Sequence, residues 1–194
     1  MTISNIFKKF FTTLGIIVLE LFKLRPWMVW DMDGCIANIY EHDDYLGKLN
    51  DKRFFLETNA YYETIEALKL FIEKHPFWGV AICSKPMPNS WCRVEKDGWL
   101  NTYLPEIKVR MYVPTDANKS IYIKKKLYSR KIYFFDDYTH NLIEMENSKV
   151  CCKVIKVKNQ INCKNGVWKG PILNTHEVAP ETILKEIEEI CDIA

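Results

Sequence analysis

The sequence predicts a Rossmann-like α/β fold: a parallel sheet with helices on both faces and a small cap inserted after the first strand. Two observations carry this reading. Short apolar runs of strand length alternate with segments of helical periodicity, the pattern of a parallel sheet wound on both sides. Three of those runs also stop on polar residues: Asp31 and Asp33 after the first, Ser84 after the second, and Asp136-Asp137 after the fourth. In a parallel sheet these ends share one edge, where open α/β sheets place their chemistry.

Taken in order, residues 1–25 read as an extension carrying an amphipathic helix, and 26–194 as a single domain. Lys8-Lys9 precede an apolar run of about ten residues, too short to span a bilayer, and no small-x-small cleavage site follows it. Packing against protein, either the domain or a second subunit in a homodimer, is the favoured reading of this helix. Peripheral membrane contact is the alternative.

Pro26 breaks the pattern, and the first strand runs from Trp27 to Asp31. Residues 36–60 are polar and aromatic, with Tyr40, Tyr45, Phe54 and Phe55, and read as a lid. Thr58 or Asn59 is expected to cap a helix over 61–74, where Ile65, Leu68, Phe71 and Ile72 have helical spacing. Further strands are expected over 77–83, 107–113, 132–135 and 150–157. Helices are expected over 91–103, 118–128, 141–146 and 180–190. Asn165-Gly166 signals a hairpin with Val167-Trp168 on its far side.

Of the 194 residues, nearly half are apolar, and the net charge is only +2. This argues against disorder and against a polyanion-binding face, so no stable nucleic-acid binding is expected. Seven cysteines occur without a C-x-x-C pair or a Cys/His cluster. That usage suits reduced thiols in a cytoplasmic protein, with Cys83 and Cys152 expected in the core.

Two acid pairs and a hydroxyl at separate strand ends are hard to obtain by chance. Four carboxylates in one crevice repel each other at neutral pH, and a divalent cation relieves that repulsion. All-oxygen ligands with room for water and a phosphate oxygen favour Mg²⁺. Asp31-Met32-Asp33-Gly34, Ser84 after a strand, a downstream lysine and Asp136-Asp137 resemble the four motifs of the haloacid-dehalogenase-like phosphohydrolase superfamily. The match extends to the cytosolic-type 5'(3')-deoxyribonucleotidases, through Ile82-Cys83-Ser84-Lys85-Pro86, Glu95-Lys96 before Trp99, and Phe135-Asp136-Asp137-Tyr138 running on to Asn141.

The resemblance implies a Mg²⁺-dependent phosphomonoesterase acting on nucleoside monophosphates. Asp31 would be the nucleophile and Asp33 the general acid and base. Mg²⁺ would lie among Asp31, the Asp33 carbonyl, Asp136 and Asp137. Ser84 would hydrogen-bond phosphate, with Lys85, Lys96 and Lys119 as candidate phosphate-binding cations. Lys96 fits the nucleotidase spacing, whereas Lys119 stands where other superfamily members carry their lysine; Lys96 is preferred. The same lysine would orient Asp31. Tyr40, Tyr45 and Trp91 are candidates to meet a base, although the lid aromatics could equally form the lid's own core. A phosphosugar or another small phosphate ester is the alternative substrate. A non-catalytic phosphate-binding or regulatory module is the competing class.

Overall fold

The computed structural model describes residues 3–162 and 167–193, and of Ile3, Ser4 and Phe7 only the backbone. The chain opens with α1 (Ile3–Leu21), then enters β1 (Trp27–Trp30). The lid follows as three short helical turns: a 3₁₀ turn at Ile39–Glu41, α2 (Tyr45–Lys48) and α3 (Phe54–Glu57). The remainder alternates: α4 (Tyr62–Lys74), β2 (Gly79–Ser84), α5 (Cys92–Tyr103), β3 (Val109–Tyr112), α6 (Lys119–Lys126), β4 (Ile132–Asp136), α7 (Thr139–Ser148), β5 (Lys153–Lys158), β6 (Ile172–Asn174) and α8 (Pro180–Ile190).

The six strands form one sheet in the order β3-β2-β1-β4-β5-β6, and every pairing is parallel. β1 lies at the centre, with Trp30 opposite Ile82 on one side and Phe135 on the other. Side chains alternate along a strand, so β1 feeds two cores. Met28 and Trp30 pack with Ile65, Leu68 and Phe71 of α4, Trp99 of α5 and Ile183 and Ile187 of α8. Trp27 and Val29 face the other way, with Ile123 of α6 and Leu142 and Met145 of α7. The predicted architecture is therefore observed, with helices on both faces.

Three expectations need correction. The hairpin residues Asn165-Gly166 lie outside the described residues, and Val167-Trp168 is not a strand. The chain instead reaches β6, which runs parallel to β5, and a tight turn cannot join parallel neighbours. Cys152 is exposed, because β5 begins one residue later; Cys83 is buried as expected, and the six described cysteines are free thiols. Neither Thr58 nor Asn59 caps α4, whose N-cap position is Tyr61. Thr58 Oγ1 donates back to the Phe54 carbonyl at 2.8 Å, and Asn59 Nδ2 donates to Glu41, so both serve the lid.

The lid is pinned at its neck. Ala37 bridges Ala60, and the Asn38 N–H donates to the Asn59 carbonyl at 2.8 Å. It has a small core of its own, in which Ile39, Phe54 and Phe55 pack with Cys92 of α5. Two polar links add to this. Trp99 Nε1 donates to the Thr58 carbonyl at 2.8 Å, and the Arg53 N–H donates to Glu95 Oε1 at 2.6 Å. Among the described residues, no helix is long and apolar enough to cross a membrane.

Candidate active site

The strand registers deliver the site. The Asp31 N–H donates to the Phe135 carbonyl at 2.8 Å, so the first acid stands beside the end of β4 and next to Asp136. After Asp31 the chain makes a tight turn, with the N–H groups of Cys35, Ile36 and Ala37 all directed at the Met32 carbonyl. Gly34 takes φ +73° within this turn. A Cβ there would run into the Asp137 carboxylate and the Tyr40 ring, so both conformation and space demand glycine. Gly34→Ala should therefore destabilise the chain by about 1–3 kcal/mol and displace Asp137. A denaturant midpoint equal to that of the parent would contradict this.

Oxygens of Asp31, Asp136 and Asp137 lie within 4.8 Å of one another, and all three residues are buried. Between two of them stands a cation. Lys119 Nζ is 2.7 Å from Asp136 Oδ2 and 2.8 Å from Asp31 Oδ1. Its approach to Asp31 is off hydrogen-bond alignment, which leaves Asp31 Oδ1 buried without a donor. Asp136 also accepts from the Tyr138 N–H at 2.9 Å and from Asn141 Nδ2 at 3.0 Å. Asp137 accepts from Tyr40 Oη at 2.8 Å and from Asn159 Nδ2 at 3.0 Å.

A second charged cluster stands alongside. Lys96 is fully buried; its Nζ pairs with both carboxylate oxygens of Asp33 and donates to Ser84 Oγ at 3.1 Å. The Phe55 ring covers the same ammonium, with its centroid 4.1 Å away. The structure thus brings together Asp31, Asp33, Ser84, Lys96, Lys119, Asp136 and Asp137. The two lysines divide what the sequence reading gave to one: the ammonium beside Asp31 belongs to Lys119, while Lys96 pairs with Asp33.

The other singled-out residues are placed differently. Tyr40 is engaged with Asp137, and Tyr45 meets its ring edge-on at 4.9 Å. Trp91 is half-buried at the N-terminus of α5, with its Nε1 buried and without a hydrogen-bond partner. Lys85 is half-buried and has no ion-pair partner among the described residues.

Sequence reasoning missed Asn159 and Asn162. Asn159 Nδ2 also donates to the Gly34 carbonyl at 2.9 Å, and Asn162 Nδ2 donates to the carbonyls of Val157 and Asp137. β5, the strand they follow, carries Lys153, Lys156 and Lys158 among its six residues, so it does not stand out as an apolar run ending on polar residues.

Electrostatics follow from crowding. Burial pushes the Asp137 carboxyl up to about 8, helped by Asp136 and Asp31. Burial likewise takes Asp136 up to about 6, against the pull of Lys119. Burial also raises Asp33, with Lys96 opposing and Asp31 adding to the rise. Burial disfavours the charge on Lys119, but Asp136 and Asp31 together outweigh it and hold its pKa well above the usual value.

The folded chain thus keeps protons on Asp136 and Asp137 at pH values where the unfolded chain has released them. Without metal, stability should fall as pH rises from about 4 to about 8. Excess Mg²⁺ should flatten that fall by stabilising the ionised carboxylates. Melting curves across this range, with and without Mg²⁺, check it; a metal-free melting temperature that climbs with pH would contradict it.

The chain matches no protein-family model and no curated protein. Among solved structures it is similar to a chain described as a haloacid dehalogenase-like hydrolase from Burkholderia xenovorans LB400. The identity is 10% and the TM-score 0.56, over 83% of this chain and 98% of that one. The two chains share the Rossmann-like α/β fold. The similarity is one of architecture, and at this identity it assigns no chemistry to any side chain. A Rossmann-like parallel sheet with a short helical lid describes the molecule, and its carboxyl edge carries the acids.

Proposed function

We propose that this protein is a phosphomonoesterase that works through an aspartyl phosphate on Asp31. The observation that carries the reading is the pairing at the sheet edge. One cluster joins Asp31, Asp136 and Asp137 with Lys119; the other joins Asp33 with Lys96 and Ser84. Asp31, Asp136 and Asp137 suit a hard divalent cation: three buried carboxylates with oxygens within 4.8 Å of one another, and one ammonium, Lys119, between two of them. Bound there, Mg²⁺ would offset the charge that builds up on a phosphoryl group during transfer.

The chain's own residues supply the rest. An Asp31 oxygen attacks phosphorus, forming the acyl-phosphate bond as the ester oxygen departs. Asp33, whose burial favours the protonated form, gives its proton to that oxygen. It then takes a proton from the water that attacks the aspartyl phosphate, which releases phosphate and regenerates Asp31. Lys96 and Ser84 bind the phosphoryl oxygens, and Lys96 also holds Asp33 in place. Lys119 holds Asp31 and Asp136 apart from direct repulsion.

The substrate we propose is a nucleoside monophosphate, on the motif resemblance and the aromatic lid. One observation favours the second reading, a phosphosugar or other small ester. Phe54 and Phe55 are buried in the lid core and Tyr40 is bound to Asp137, so three aromatic rings are already engaged. Phosphate release from a panel of nucleoside and sugar monophosphates, with Mg²⁺ and with chelator, tests both levels. Release without nucleotide preference would remove the nucleotidase reading. No Mg²⁺-dependent release from any ester would sink the enzyme and favour a phosphate-binding module.

A further inference from the structure

α1 is attached to the domain by a narrow face and turns its broad apolar face away. The half-buried positions are Thr12, Gly15, Ile16 and Leu19. Gly15 is the point of closest approach, where a Cβ would stand 2.7 Å from the Phe77 ring. Phe10, Phe11, Leu14, Ile17, Val18 and Leu21 are between 45% and 75% exposed. At about 100° per residue these six fall within an arc of roughly 120°, nearly opposite the attached face. Continuous exposed apolar surface of this kind marks an interaction site.

Charge decides what covers it. The segment from Lys119 to Phe135 contains no acid, and within it Lys124, Lys125, Lys126, Arg130 and Lys131 are all exposed. This basic run ends α6 and leads into β4, so it lies at the amino edge of the sheet, where α1 joins β1. The two features touch. Leu21 and Lys23 line a cleft of about 450 Å³ together with Lys126 and Tyr128, and the Arg130 N–H donates to the Lys23 carbonyl at 3.2 Å. The one acid lining that cleft, Glu20, is already paired with Arg25, so a second copy seated on the arc would have no unpaired acid of the cleft to offer the basic run. An anionic lipid surface answers both features at once, taking the apolar arc into its acyl boundary and the lysines onto its headgroups.

We propose that α1 and the adjoining basic run form a docking surface for anionic membranes, with the helix lying in the plane of the interface. Its length and composition do not allow it to cross. The candidate active site lies at the opposite, carboxyl edge of the sheet. Docking through the amino edge leaves that mouth facing water and open to soluble molecules. This inference stands whether or not the chain is a phosphatase.

Co-sedimentation of the full-length protein with vesicles tests it. Phosphatidylcholine alone is compared with mixtures containing phosphatidylglycerol. Binding is expected to the anionic vesicles, to weaken with salt, and to be at least tenfold poorer to phosphatidylcholine. Phe10→Glu with Leu14→Glu should abolish it, and these exposed sites leave the core untouched. Lys124→Gln, Lys125→Gln and Lys126→Gln should weaken it by about fivefold per charge at low salt. Absence of binding to anionic vesicles would overturn the proposal. So would a lipid-free dimer, seen by light scattering and lost in the Phe10→Glu/Leu14→Glu protein, because the arc would then belong to a second copy.

Discussion

Asp31→Asn is expected to abolish phosphate release while leaving the chain folded. The amide keeps the shape of the side chain but is a poor nucleophile toward phosphorus, because its nitrogen lone pair is delocalised into the carbonyl and its oxygen carries no full negative charge. The loss should reach at least about 10⁴-fold, the order found when a nucleophile is removed from a catalytic set. Stability should move the other way, or not at all. Asp31 is one of three buried carboxylates within 4.8 Å, and it helps to hold the Asp137 carboxyl up near 8. Neutralising it eases that crowding, so the Asp137 proton should leave at lower pH. Steady-state phosphate release and a thermal melt read both effects. Retention of more than a few per cent of the parent rate would remove Asp31 from the chemistry.

The second large effect is expected from Lys119→Met. Methionine matches the length of the lysine stem, while the ammonium, which stands 5.6 Å from the Phe134 ring centroid, is lost. What remains is Asp31 facing Asp136 in a buried site without a cation. Removing one partner of a buried ion pair costs about 3–5 kcal/mol, because the other partner is left uncompensated. Protonation of Asp136 would relieve part of this, so the variant should lose most stability toward high pH. Mg²⁺ should restore it, and by more than it adds to the parent protein, since the metal would replace the missing charge. Melts of both proteins with and without Mg²⁺ decide the matter. Equal metal-induced shifts would mean that the cation and Lys119 do not share the acids.

Much of the fold lay open in the residue pattern, for a physical reason. β1 and β4 are buried on both faces, so they read as unbroken apolar runs, and the acids that end them are then conspicuous. Ser84 and Asp136 follow the same logic. What escaped lacks such contrast. β6 is three residues long with only Leu173 buried, too short for any period to register. Asn159 acts through bonds to Gly34 and Asp137, 125 and 22 residues away, and no local pattern announces a contact of that reach. The division of labour between Lys96 and Lys119 was out of view for the same reason. Both lysines lie near the start of a helix after the sheet edge, and only the packed chain shows which acid each one meets.

The bond from Tyr40 to Asp137 joins the lid directly to one of the acids of the site, whereas the lid's links through Cys92, Glu95 and Trp99 run to α5. Tyr40 sits in the first turn of the lid, and Asp137 sits at the end of the sheet. A hydroxyl holds an ionised carboxylate more tightly than a neutral one. Whatever discharges or charges Asp137 therefore changes how firmly the lid is latched, and by reciprocity a latched lid favours the ionised acid. Cation occupancy and proton loss at Asp137 are in this way coupled to the strength of one of the bonds that hold the lid on the sheet edge.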